Sequence, residues 1–246
     1  MTAPTRPPHL VAMAPAMTFA NARHFIHHGG IFVSPILSWF MQRQVQERQR
    51  RGLPYASIDE IRKALAAYRE EWLLHLPLRD LPVMKEFPVW RDWIDHADNG
   101  PYWAPYDIEA QHPQVEVPAL NFTGWNDDDY GQPGAIRNFT GMRLRGGSEQ
   151  ARRGQRLVIG PWTHGAPTLD RTTFAGVDFG PNAAFDYNEM LLRYFDYWLK
   201  GIDDGYSREA PVRYFVMGDN VWREEQDWPP VATRQTDLFL AADGRL

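Results

Sequence analysis

Two short stretches, Val117–Thr123 (VPALNFT) and Arg156–Gly160 (RLVIG), are largely apolar without strict alternation. A strand patterned this way is covered on both faces, the habit of a parallel sheet packed between helices. His9–Ala16 (HLVAMAPA) reads the same way. Helical text follows. After Thr123 comes AIRNFTGMRLRGG, with Ile136, Phe139 and Met142 at helical spacing and Gly146 as the stop. After Gly160 comes FDYNEMLLRYFDYWLKG, where Leu191, Leu192, Phe195, Trp198 and Leu199 form one apolar stripe ended by Lys200 and Gly201. Strand and helix in alternation predict an α/β layer structure.

About a hundred residues of another character separate the first two strands. Ser57-Ile-Asp-Glu60 is a capping box, opening a helix whose Ile61, Leu65, Tyr68 and Trp72 share one face. A Pro- and aromatic-rich stretch follows, LPVMKEFPVWRDWIDHADNGPYWAP. A connection this long is usually functional, so a helical lid over an active site is expected. From Ala210 the texture changes again: PVRYFVMG and TDLFLAADG alternate and read as antiparallel strands divided by a Trp- and Pro-rich loop. Two such strands are marginal alone, so this end reads as cut.

Composition narrows the function. At 43% hydrophobic and 23% charged, 246 residues make a globular chain with a real core. A formal charge of −5 argues against a nucleic-acid partner, which needs a basic face. No apolar run approaches the roughly 18 residues of a membrane span. No signal peptide is evident, which makes a cytoplasmic location the default reading. With no cysteine, thiolate chemistry and Cys-based metal sites are excluded.

Asp127 lies in TGWNDDDYG just past the second strand, and His164 lies in LVIGPWTHG just past the third. In open parallel sheets ligands bind outside the carboxyl ends of the strands, so both side chains are expected on one rim. An acid after one strand and a His after the next is the Asp…His half of a Ser…Asp…His order. His164 would take the serine proton and return it to the leaving group, while Asp127 fixes the imidazole tautomer.

Gly-Trp-x-Asp followed by Leu-Val-x-Gly-Pro-Trp-x-His resembles the cocaine-esterase-like (CocE/NonD) hydrolases, which include X-prolyl dipeptidyl-peptidases, α-amino acid ester hydrolases and glutaryl acylases. Further text of the same kind is HLVAMAPAM, LPLRDLP, WRDWIDHADNGPYW, VDFGPNAAFDYNEMLLRYFDYWLKGIDDG and APVRYFVMGDNVWREEQDWP. The resemblance implies the C-terminal half of an α/β-hydrolase parallel sheet (residues 1–19 and 110–207), an inserted helical cap (20–109) and the start of a jelly-roll β-sandwich (208–246). It also implies a serine hydrolase of esters or amides working through an acyl-enzyme, with Asp127 as the acid and His164 as the base, and neither metal nor cofactor.

The serine that the resemblance calls for sits in a Gly-x-Ser-Tyr-x-Gly elbow, with a tyrosine further upstream as an oxyanion donor. The serines of this chain are Ser34, Ser38, Ser57, Ser148 and Ser207, and none has an elbow around it. Losing one triad member normally leaves about 10³–10⁴-fold catalysis through the oxyanion hole and binding. Here the hole is missing too, so the chain alone is expected to be inactive. The competing reading is a non-catalytic fragment or binding remnant. The expected partners are a small-molecule ester or amide, with a complementary N-terminal half or a homo-oligomer covering the flat edge at His9–Ala16.

Several positions near the pair carry two readings. Asp128 and Asp129 are either a solvated acidic loop or a carboxylate cluster that binds the ammonium group of an α-amino acyl substrate. Trp125, Trp162 and Trp103 are substrate-pocket candidates, against a plain packing role. His24, His27 and His28 (HFIHH) could share a helix face, yet no Glu completes a zinc motif and packing is the simpler reading.

Overall fold

The computed structural model describes residues 2–33, 74–85, 87–127, 131–165 and 171–239, with scattered positions between 36 and 66. Ser57, the helix face Ile61, Leu65, Tyr68 and Trp72, and residues 240–246 lie outside the described residues. Contacts divide the chain into two units, Phe19–Gln111 and Thr2–Thr18 with His112–Leu246.

In the first unit, helix α1 (Ala22–Ile26) is capped by Asn21, whose side chain accepts from the N–H of Arg23 at 2.9 Å. The helix stops at Ile26, and His27–His28 (β1) turns through Gly29 and Gly30 onto Ile31–Phe32 (β2). The expected shared helix face of HFIHH is therefore corrected: the glycine turn draws the last two histidines into a strand. His27 is buried with Nε2 2.7 Å from the Trp93 carbonyl, His24 faces Glu109 at 3.7 Å, and His28 is exposed. Further along, Pro88 opens helix α2 (Pro88–Asp95). Its Trp90 packs with Ile26, Leu81, Met84 and Trp103 in a buried aromatic cluster. The indoles of Trp90 and Trp103 donate to the carbonyls of Leu78 and His96, at 2.8 and 2.6 Å, so neither loses a hydrogen bond on burial.

The second unit is built on a sheet of β3 (Leu120–Asn126), β4 (Arg156–Thr163), β7 (Val212–Val216) and β8 (Val221–Glu225), in that order. The first three run parallel, and β8 returns antiparallel to β7. Two-residue strands β5 (Thr173–Phe174) and β6 (Val177–Asp178) form a separate ladder. Helix α3 (Gly131–Arg145) covers one face: its Ala135 and Phe139 pack on Leu157, Ile159 and Val212. Helix α4 (Glu149–Arg153) is capped by Ser148 and leads into β4. Helix α5 (Tyr187–Phe195) covers the other face, where Leu120, Phe122, Val158, Trp162, Tyr194 and Phe215 are buried. Covering both faces leaves Leu120–Gly124 and Leu157–Trp162 buried at every position.

Three sequence expectations change in detail. His9–Ala16 is not a regular strand. It meets β3 through parallel bridges at Met13–Ala119 and Ala16–Phe122, the amides of Leu120 and Phe122 donating to the carbonyls of Met13 and Pro15. Pro15 removes a donor from the run, so pairing is intermittent. The apolar stripe of α5 is Tyr187, Met190, Leu191, Tyr194, Phe195 and Trp198, while Leu192 and Leu199 are 64% and 57% exposed. A π-turn at Asp196–Lys200 resets the phase at the end of the helix. Finally, Val212–Val216 joins the main sheet beside β4 and pairs with Val221–Glu225. Gly218 and Asn220, both at positive φ, close that hairpin, and residues 232–239 have no regular structure.

Candidate active site

β3 and β4 run in one-to-one register from Leu120–Arg156 to Gly124–Gly160. Two glycines at the end of that ladder are required by contact rather than by conformation. A β-carbon on Gly124 would lie 2.1 Å from the carbonyl oxygen of Trp162, and one on Gly160 would lie 2.4 Å from the Trp162 ring. The indole of Trp162 folds back over its own strand and stacks on Phe122, 4.6 Å between centroids and 15° between planes.

Just beyond the two strand ends, the candidate pair meets. Asp127 leaves β3 with its N–H on the Gly124 carbonyl at 3.2 Å, and its Oδ1 lies 3.0 Å from Nδ1 of His164. The aspartate side chain is fully covered, whereas that of His164 is 36% exposed. A carboxylate at Nδ1 selects the tautomer with the proton there and makes Nε2 the nitrogen that accepts one from a reactant. After His164, the N–H of Gly165 donates to the thioether of Met17 at 2.9 Å, and Met17 is itself held at positive φ.

The other sequence-predicted residues fall in different places. Trp125 is half-buried, its Nε1 donating to the Phe215 carbonyl at 2.7 Å, with the Trp228 ring 6.1 Å away and tilted by 43°. Trp162 is 1% exposed and Trp103 is 2% exposed. Both are core residues of their own units, which supports the packing reading given beside the pocket-wall one. Asp128 and Asp129 lie outside the described residues. Of the serines, Ser148 is spent on the α4 cap and Ser207 donates to Asp203 at 2.5 Å. Ser34, Ser38 and Ser57 lie outside the described residues.

Two residues at this end of the sheet escaped the sequence reading. Asn126 is the last residue of β3 and donates through Nδ2 to the Pro161 carbonyl at 2.8 Å. Its only sequence signal was a polar side chain where a strand ends. Met17 left no signal, since a sulfur acceptor has no spacing rule. A cavity of about 370 Å³ lies elsewhere, at the amino ends of the strands, lined among others by Leu120, Arg156, Pro211 and Arg213. Asp127 and His164 follow the carboxyl ends.

Comparison with known proteins places the chain in a family. Residues 1–166 match the sequence profile of X-Pro dipeptidyl-peptidase (S15 family). The chain is 31% identical over 173 residues to the cocaine esterase of Rhodococcus sp. (strain MB1 Bresler), which covers 68% of this chain and 28% of that protein. The chain thus spans less than a third of the length of that relative. Among solved structures, an aminopeptidase from a marine sediment archaeon of the Thaumarchaeota superposes with a TM-score of 0.64 at 20% identity, covering 96% of this chain and 38% of that one. A CocE/NonD family hydrolase of Staphylococcus aureus superposes with a TM-score of 0.59 at 17% identity, covering 98% and 34%. These two likenesses show a shared α/β fold. With its profile match reaching through both Asp127 and His164, this chain belongs to the X-Pro dipeptidyl-peptidase (S15) family.

Proposed function

We propose that Asp127 and His164 are the acid and base of a serine hydrolase that cleaves carboxylic esters or amides through an acyl-enzyme. The observation that carries this reading is the 3.0 Å contact between Oδ1 of Asp127 and Nδ1 of His164, at the carboxyl ends of adjacent parallel strands. With Nδ1 occupied, Nε2 draws the proton from a serine hydroxyl during attack and delivers it to the departing oxygen or nitrogen. A water molecule activated in the same way then releases the acyl group. Family membership supports the reaction class, since the matched profile is that of a dipeptidyl-peptidase and the similar Rhodococcus protein is named an esterase.

This polypeptide supplies half of the machinery. No Gly-x-Ser-Tyr-x-Gly sequence occurs in it, and the described serines are engaged in a cap and a turn. The 246 residues alone therefore do not turn over ester. In the complete site, Asp129 and Asp128 beside the catalytic acid favour acyl groups that carry an ammonium, because neighbouring carboxylates reward a cation and reject a neutral group.

The test is p-nitrophenyl ester hydrolysis by the chain alone and mixed with a polypeptide carrying the serine elbow and its upstream tyrosine loop. No turnover is expected alone, and turnover is expected in the mixture that disappears with His164→Ala. Turnover by the isolated chain would overturn the half-site reading. Turnover in the mixture that survives His164→Ala would overturn the role of the pair.

A further inference from the structure

The β3–β4 ladder slips by one residue just before the pair. Gly124 is level with Gly160, but Asn126 is level with Thr163, so two steps on β3 match three on β4. The extra residue is a bulge at Pro161–Trp162. Continued in the original register, Asp127 would stand level with Thr163, and successive residues of a strand point to opposite faces. The slip carries β4 forward by one, so Asp127 stands level with His164.

A bulge of this kind needs something to hold it, because Pro161 has no N–H to offer the ladder. One carboxamide does so. Nδ2 of Asn126 donates to the Pro161 carbonyl at 2.8 Å, and lies 3.8 Å from the thioether of Met217 at the end of β7. Asn126 thus ties the ends of three strands at the residue next to Asp127. Gly124 and Gly160 add the space the bulge needs, since either β-carbon would collide with Trp162.

We infer that Asn126 is a positioning residue for the hydrolase site: its side chain locks the β4 bulge at Pro161–Trp162, and the bulge sets the register that brings His164 level with Asp127. The inference rests on the proposed roles of that pair, but its geometry can be tested without turnover. Asn126 reaches the Pro161 carbonyl and the Met217 thioether. It acts through the strand it holds.

The experiment is nitrogen-15 NMR of histidine-labelled full chain, comparing wild type with Asn126→Leu, which keeps the branched shape and removes the donor, and with Asn126→Ala. Thr140→Ala, which removes a hydrogen bond inside α3 to the Ile136 carbonyl, is the control for simple destabilisation. Wild type and control are expected to show one fixed Nδ1–H tautomer for His164, with a proton shielded from exchange. Both Asn126 variants are expected to lose that signature to averaged tautomers and at least tenfold faster proton exchange. If Asn126→Leu does not fold, Asn126→Ala carries the comparison. An unchanged His164 signature in a folded Asn126 variant would overturn the positioning role. A wild-type His164 with no fixed Nδ1–H would instead sink the reading of the pair itself.

Discussion

The α-carbon of Gly124 lies directly beneath the backbone of Trp162, so close that a methyl group there would sit 2.1 Å from the tryptophan carbonyl oxygen. Backbone cannot step aside as a flexible side chain can. Gly124→Ala is therefore expected to push β3 and β4 apart at the end that carries Asp127 and His164. The cost should be about 1–3 kcal/mol, the range for overpacking a close-packed interior. Urea unfolding monitored by tryptophan fluorescence checks it, and a variant as stable as wild type would contradict the contact.

Asp127→Asn keeps the shape of the side chain while changing what it offers His164. The amide can present its N–H₂ to Nδ1 and so favour the wrong tautomer. In the complete serine-bearing enzyme, turnover should fall by about 10⁴, the size seen when the equivalent change is made in a serine protease triad. Folding should be barely affected. Steady-state kinetics beside a thermal melt separates the two effects.

Tyr194 is buried in the α5 face and donates its hydroxyl to the Met13 carbonyl at 3.0 Å, across 181 residues of sequence. It anchors a segment that β3 holds only intermittently. Tyr194→Phe should cost about 1 kcal/mol, the net worth of one hydrogen bond. Hydrogen exchange should rise most at the Leu120 amide, which donates to the same Met13 carbonyl. Uniform acceleration across the sheet would argue against a local anchor.

Burial also pushes the hydroxyl of Tyr206 up to about 12 from an ordinary value of 10.0. The folded state thus favours the neutral phenol. Its contribution to stability is full below pH 10 and is lost as pH rises from 10 towards about 12. Tyr206→Phe should unfold later on alkaline titration than wild type, and should differ little from it in this respect at pH 7. Circular dichroism across that pH range checks both halves of the expectation.

Much of the sheet was legible because β3 and β4 are covered on both faces and rich in large apolar residues, although Asn121 and Thr123 put buried polar groups into β3. The pair Asp127 and His164 was legible for a related reason: strand ends on a parallel sheet share a rim. What escaped had physical causes too. The α5 face was misread at Leu192 and Leu199 because hydrophobicity favoured leucine, whereas burial went to Tyr194, whose hydroxyl finds a carbonyl. Val212–Val216 was assigned to a separate antiparallel layer because its neighbours alternate, yet its hairpin with β8 lies at the edge of the main sheet, where one strand can run parallel and the next antiparallel. The β4 bulge could not be read at all, since a register exists only between two strands.

The uneven exposure of the pair has a chemical corollary. Solvent reaches the ring of His164 and stops short of the carboxyl of Asp127. An electrophile arriving from solution, such as diethyl pyrocarbonate, would carbethoxylate the imidazole while its anion stays out of reach. The pair can be capped from the outside, with its anchor left standing inside the protein.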